Sequence, residues 1–231
     1  MMLFLILAFT FLSAGLSAPL TSDCDTLTQQ VEIPSRDPLL GVWTFALEST
    51  DIPGSKLLLK MFVENVWGKV FPANESDSIF VFQVQKILGR CFSITSKLTL
   101  VNNTLHTEHP LSASEVLLRT SCSDCILLLS NTTLGESTYR TMQLLTRRPK
   151  LTSAEIDEFK RQAACLNLPP PAILTANKGF CPDSSASKDT ETTDLTSVLS
   201  QANPEYMKIL DKLLSSQSGI KMIVDSMRNQ K

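Results

Sequence analysis

Histidine is scarce in this chain of 231 residues, with only His106 and His109 present. No Ser-His-Asp arrangement, no paired acids at catalytic spacing and no metal-ligand spacing accompanies them. The sequence therefore calls for no catalytic residue, no cofactor and no resident metal. An excess of one charge is missing as well. Lys and Arg number 21 against 23 Asp and Glu, with both signs interspersed, which excludes a dedicated nucleic-acid surface because that needs a clustered basic face. Beyond the N-terminal stretch, no apolar run approaches the ~20 residues that span a bilayer.

What the chain does contain begins with an export signal. Residues 3–12 form an apolar run, and small residues follow at Ser13, Ala14, Gly15, Ser17 and Ala18. This pattern predicts a secretory signal peptide over residues 1–17, with Pro19 placing the cut after Ser17 rather than after Ala18. The start carries no Lys or Arg, which leaves an uncleaved anchor as the alternative. The expectation is a secreted, extracellular protein. Six cysteines (Cys24, Cys91, Cys122, Cys125, Cys165 and Cys181) then read as disulfides, with fifteen connectivities open. The Cys122-Ser123-Asp124-Cys125 unit reads either as a redox or zinc half-site or as a bridge across a two-residue turn. The absence of a second C-x-x-C and of a nearby His favours the turn. Asn74, Asn102 and Asn131 each open an N-x-S/T sequon beside a turn, three glycosylation sites for an exported chain.

From Gly41 onward the apolar pattern has a period of two. In Gly41-Val42-Trp43 the glycine lets the backbone approach closely, while the indole plugs one end of a closed sheet. By alternation Trp43, Phe45 and Leu47 share the inner face of the first strand. A helical turn is expected over residues 56–63. Strand-like runs follow at 66–71, 78–87, 91–100, 103–108, 115–121, 125–130 and 137–146, with turn chemistry between them. Eight strands joined mostly by tight hairpins predict a mainly β chain, an antiparallel up-and-down barrel or a sandwich. One helix comes next. Thr152-x-x-Glu155 is a capping box, Ile156, Phe159 and Ala163 recur on one side, and Pro169-Pro170-Pro171 ends it. So narrow an apolar stripe is expected to lie on the outer wall. Residues 183–195 read as a flexible linker. After it, Asn203 caps a tail helix carrying Tyr206, Ile209, Leu210 and Leu213 on one face. Gly219 interrupts that pattern before it resumes at Ile220, Ile223, Val224 and Met227.

With these elements in order, the chain resembles the lipocalins, and more narrowly the branch that holds apolipoprotein M and α1-acid glycoprotein (orosomucoid). The stretch from Glu158-Phe159-Lys160 through Cys165-Leu166 to Phe180-Cys181-Pro182 is similar to the C-terminal helix and closing cysteine of both. His106-Thr107-Glu108 and Thr120-Ser121-Cys122 resemble apolipoprotein M. Asn74 with Ile79-Phe80 is similar to a glycosylated hairpin of the acid glycoproteins. The resemblance implies a lipocalin domain over residues 18–182, an eight-stranded barrel with one helix outside, followed by a partly helical tail at 183–231. It implies bridges Cys24–Cys165 and Cys91–Cys181. Apolipoprotein M's third bridge needs a cysteine where Glu155 stands here, which leaves Cys122–Cys125 as the substitute or two free thiols. It implies a fold motif of Gly41, Trp43 and Arg148, the Arg (Arg147 as alternate) lying across the indole. It also turns Val81, Gln83, Gln85 and Leu105 inward.

Together with Phe45 and Leu47, these side chains give an apolar lining with a few amides, which suits a hydrophobic molecule with a polar head. The expected function is transport of a lysophospholipid, fatty acid, retinoid, steroid or amphiphilic toxin in the barrel, without catalysis. Two alternatives differ in kind. The amphipathic tail would seat on a lipoprotein or membrane surface, or an unpaired Cys122 or Cys125 would serve a cavity-thiol isomerase.

Overall fold

The computed structural model describes residues 21–174, 179–184 and 192–229; the signal-peptide reading and most of the linker lie outside them. The eight expected strands are β1 (Gly41–Thr50), β2 (Val63–Pro72), β3 (Ser78–Ile87), β4 (Arg90–Val101), β5 (Thr104–Thr107), β6 (Ala113–Leu118), β7 (Cys125–Leu134) and β8 (Ser137–Thr146). Each pairs antiparallel with the one before it, and β8 returns to β1 through pairs such as Phe45 with Leu145. The sheet thus closes into a barrel. Tight turns make the up-and-down order possible: Asn102 and Asn103 both take positive φ (48° and 64°), the left-handed pair that a two-residue hairpin needs and that Asn tolerates.

Strand β1 departs from simple alternation. Phe45 pairs with Leu145 and Leu47 with Leu144, so Ala46 is one residue too many and forms a bulge. Everything after it changes face. Leu47, expected inside, is instead fully buried on the outer wall among Leu127, Met142 and Leu144. The helix α3 (Ser153–Cys165) lies there, and its Phe159 and Ala163 complete the same cluster. Its capping box is formed, with Thr152 and Glu155 satisfying each other's backbone donors. Strand β9 (Ala172–Ile173) then adds to the bulged part of β1.

Three disulfides fasten the chain. Cys24–Cys165 ties the first helix, α1 (Thr21–Leu27), to α3, and Cys91–Cys181 ties the segment after β9 to β4. Cys122–Cys125 spans the β6–β7 connection, so no cysteine is free.

The last segment holds more order than a linker and loose tail. Thr192–Asp194, read from sequence as linker, form β10, parallel to Cys91–Ser93 of β4. The reason is an edge left open: β5 pairs only with Thr99–Val101, so the start of β4 has bare backbone groups on that side. Helices α4 (Thr196–Ser200), α5 (Pro204–Leu214) and α6 (Gln217–Arg228) follow. Ile220 and Val224 of α6 pack on Phe62, at the end of α2 (Ser55–Phe62) in the β1–β2 connection. Among the described residues no helix is long and apolar enough to cross a membrane.

Truncating Phe159 to alanine removes the largest side chain joining α3 to the barrel. The expected loss is about 3–5 kcal/mol of unfolding free energy, measured by urea denaturation with the disulfides intact.

Candidate functional site

The barrel is floored at one end. Trp43 donates its indole N–H to Leu39 O (2.8 Å) in a short turn, Asp37–Leu39, that enters the barrel. The guanidinium across the indole belongs to Arg147, not Arg148: its central carbon lies 4.2 Å from the ring centre, and it donates to Leu40 O at 2.7 Å. Alternation explains the correction. Leu145 faces inward, so Arg147 continues on that side of the chain and Arg148 falls on the other. There Arg148 pairs with Asp124 (2.9 Å) and Glu155, and donates to Cys122 Sγ. Gly41 has φ +109°, and a Cβ there would meet the Arg147 guanidinium at 3.2 Å, so the cation fits over the indole because residue 41 has no side chain.

Above this floor lies an interior cavity of about 120 Å³. Phe45, Val81, Gln83 and Leu105 line it, with Val70, Leu128 and Leu145 among their neighbours. Gln85 is on the same face of β3 as Val81 and Gln83, nearer the other end, and is not part of the cavity wall. Leu47 is outside, as the bulge requires. Phe82 and Val84, between the inward residues of β3, are buried on the outer side beneath Cys181.

Two acids that the sequence reading missed give the interior its character. Glu115 lines the cavity; it pairs across the sheet with inward-facing Leu105 and so shares its face. The signal for it was this register, which the sequence pattern of β6 does not disclose. No hydrogen-bond donor among the described residues reaches its carboxyl group, and burial pushes its pKa up to about 7. Glu48 is the second. The bulge turns it inward, where Gln143 of the cavity wall donates to it at 2.7 Å. Burial raises its pKa too, and that hydrogen bond acts in the opposite direction.

The other expected sites are dispersed. Asn74, Asn102 and Asn131 are all exposed, the first two at turns and Asn131 within β7. Cys122 and Cys125 sit at the floored end, with their sulfurs bonded to each other. The thiol that an isomerase would use, and the thiolates a zinc site would need, are therefore engaged.

A closed antiparallel eight-stranded barrel, a G-x-W tryptophan under a guanidinium and a helix stapled to the outer wall occur together in one architecture. The fold is that of a lipocalin. Two of the solved structures that share it serve as examples. One is the siderocalin Ex-FABP, described as functioning through dual ligand specificities; it is 14% identical with a TM-score of 0.54, over 62% of this chain and 97% of its own. The other is the bovine lipocalin allergen Bos d 2, 13% identical with a TM-score of 0.51, over 63% and 98% respectively. No protein-family model matches the chain, and no curated protein matches its sequence. At such identities the likeness speaks for the lipocalin fold alone.

Glu115 links folding to pH. Its folded pKa of about 7 stands above the ordinary 4.5, so the folded protein holds a proton that the unfolded chain has released. Its stabilising contribution is complete below pH 4.5 and is lost as pH rises through about 7. The Glu115→Gln variant lacks this term. The unfolding free energy of the native protein minus that of the variant is expected to fall across this window by up to about 3 kcal/mol, read from urea denaturation series at matched ionic strength.

Proposed function

We propose that this protein is a secreted, glycosylated lipocalin of the branch that holds apolipoprotein M and α1-acid glycoprotein, and that it carries a small amphiphile whose head is a cation or a strong hydrogen-bond donor. The branch assignment is supported by the bridges Cys24–Cys165 and Cys91–Cys181 together with the residues that resemble it. The observation that carries the ligand class is Glu115, a carboxyl group with no donor beside it, in a cavity otherwise walled mainly by apolar side chains.

An ionised carboxylate in such surroundings is costly unless it is paired. An amine or guanidinium head supplies that pairing, while each buried methylene of its apolar body contributes about 0.8 kcal/mol. A fatty acid would bring a second negative charge to the same place, so the acids of the wall select against it. Gln83 and Gln143 offer amides to orient the head. The site holds binding groups, and we read it as a carrier rather than a catalyst. The alternative, a tail that seats on lipid, is less favoured because Ile220 and Val224 are already packed on Phe62.

Isothermal titration with two amphiphiles of one short chain length, an alkylamine and the matching carboxylic acid, tests the ligand class. The amine is expected to bind, and Glu115→Gln to weaken it about ten-fold or more. Binding of the acid and not the amine would overturn the assignment. For export and glycosylation, protein secreted from eukaryotic cells is expected to start at Ala18 and to lose mass on enzymatic deglycosylation at Asn74, Asn102 and Asn131, as mass spectrometry of the peptides would show.

A further inference from the structure

We infer that α4 to α6 form a latched lid over the barrel mouth, and that detaching Asp211 from the β7–β8 turn is the step that admits and releases ligand. The inference rests on the cavity being a carrier site and adds how access to it is controlled.

The position of the segment is the first argument. The end of the barrel opposite Trp43 is rimmed by the β1–β2, β3–β4, β5–β6 and β7–β8 connections, and α5 and α6 touch the first, the second and the last of these. Ile220 and Val224 pack on Phe62, with Leu58 and Leu88 beside them. At the β7–β8 turn the approach is backbone to backbone: a Cβ on Gly135, whose φ is +62°, would lie 2.9 Å from Met207 O and from Asp211 Cβ. Only a glycine turn lets α5 come so near.

The latch is the second. Asp211 is 6% exposed on a helix whose Tyr206 and Ile209 are 68% and 49% exposed, so this carboxylate is the side chain of α5 that goes inward. It accepts hydrogen bonds from Tyr139 Oη at 2.6 Å, Ser137 Oγ at 2.9 Å and the Glu136 backbone N–H at 3.3 Å. Tyr139 lies on the face of β8 that carries Gln143 and Leu145 into the cavity, two levels nearer the mouth than Gln143. Lys208 and Glu136 add an exposed ion pair at 2.8 Å beside it. A lid held by one polar cluster and one small apolar patch can detach without dismantling a core, whereas the outer cluster around Phe159 cannot.

The hinge is the third. β10 pairs with β4, Leu195 N–H donates to Ser93 O, and Thr196 Oγ1 accepts from Thr95 N–H. The segment is thus anchored along the wall just before α4, and the helices beyond can swing from that point. The cavity below, about 120 Å³, is small beside the 300–1,000 Å³ usual for ligand pockets.

The experiment uses the full chain. Stopped-flow association and dissociation of a fluorescent alkylamine are compared between the native protein and the Tyr139→Phe and Asp211→Asn variants. Hydrogen exchange of the α5 and α6 amides is measured on the same proteins without ligand. The expected result is that both variants raise the association and dissociation rates together, about ten-fold or more, and that α5 and α6 exchange faster while β1 to β8 keep their protection. A protein that binds the probe at rates the variants leave unchanged, or whose α5 and α6 amides exchange only with those of the barrel, has no such lid. A native protein that takes up neither the alkylamine nor any other hydrophobic probe overturns the carrier reading and the gating with it.

Discussion

A closed sheet offers each strand residue two environments, a sealed interior or an outer wall, and one extra residue reverses the assignment for everything beyond it. In this barrel that residue is Ala46. Ahead of it, Trp43 and Phe45 build the floor and wall of the cavity; after it, Leu47 leaves the interior to meet α3, and Glu48 enters. The bulge therefore joins two matters that look separate. It gives α3 an apolar seat on the outer wall, and it brings an acid inside. Were Ala46 to take an ordinary place in the ladder instead, Leu47 would turn into the cavity and Glu48 would lie beneath the helix.

Much of the architecture is legible in the sequence because its signals are local. Turn residues at Asn102-Asn103 and Gly89, alternation within single strands and the Thr152-x-x-Glu155 capping box each act over a few residues, and the eight strands and α3 follow from them. What escapes depends on residues far apart in sequence. Alternation misplaces Leu47 because a bulge is a property of the β1–β8 register, and Arg148 stands in for Arg147 because the two differ only in which side of β8 they continue. Strand β10 reads as linker because Thr-Thr-Asp has no apolar pattern; the open backbone of β4 orders it, and that edge exists only because β5 is short. Of the cavity wall, Phe45, Val81, Gln83 and Leu105 come from alternation and resemblance. Glu115 does not, since a glutamate between Ser114 and Val116 looks like a solvated residue until its partner Leu105 is known.

The interior combines two demands that oppose each other. Apolar walls favour transfer of a hydrophobic body from water and at the same time raise the cost of ionising Glu48 and Glu115. Their raised pKa values express that conflict. Gln143 relieves it for Glu48 with a single hydrogen bond, whereas Glu115 has no equivalent relief. A barrel filled simply to be stable would carry leucine at position 115. At neutral pH a carboxyl group held there with no partner among the described residues lowers stability, because the interior disfavours its ionised form.

The Cys91–Cys181 bridge stands beside the start of β10, since Cys91 is the residue opposite Thr192. Covalent and backbone attachments to β4 thus converge on the same few residues, and the helices beyond cannot diffuse away from the barrel. Their return is an intramolecular event at an effective concentration set by the reach of a short tether, not by how much protein is present. The contacts of α5 and α6 with the barrel are then indifferent to dilution, because both sides of each contact belong to one chain.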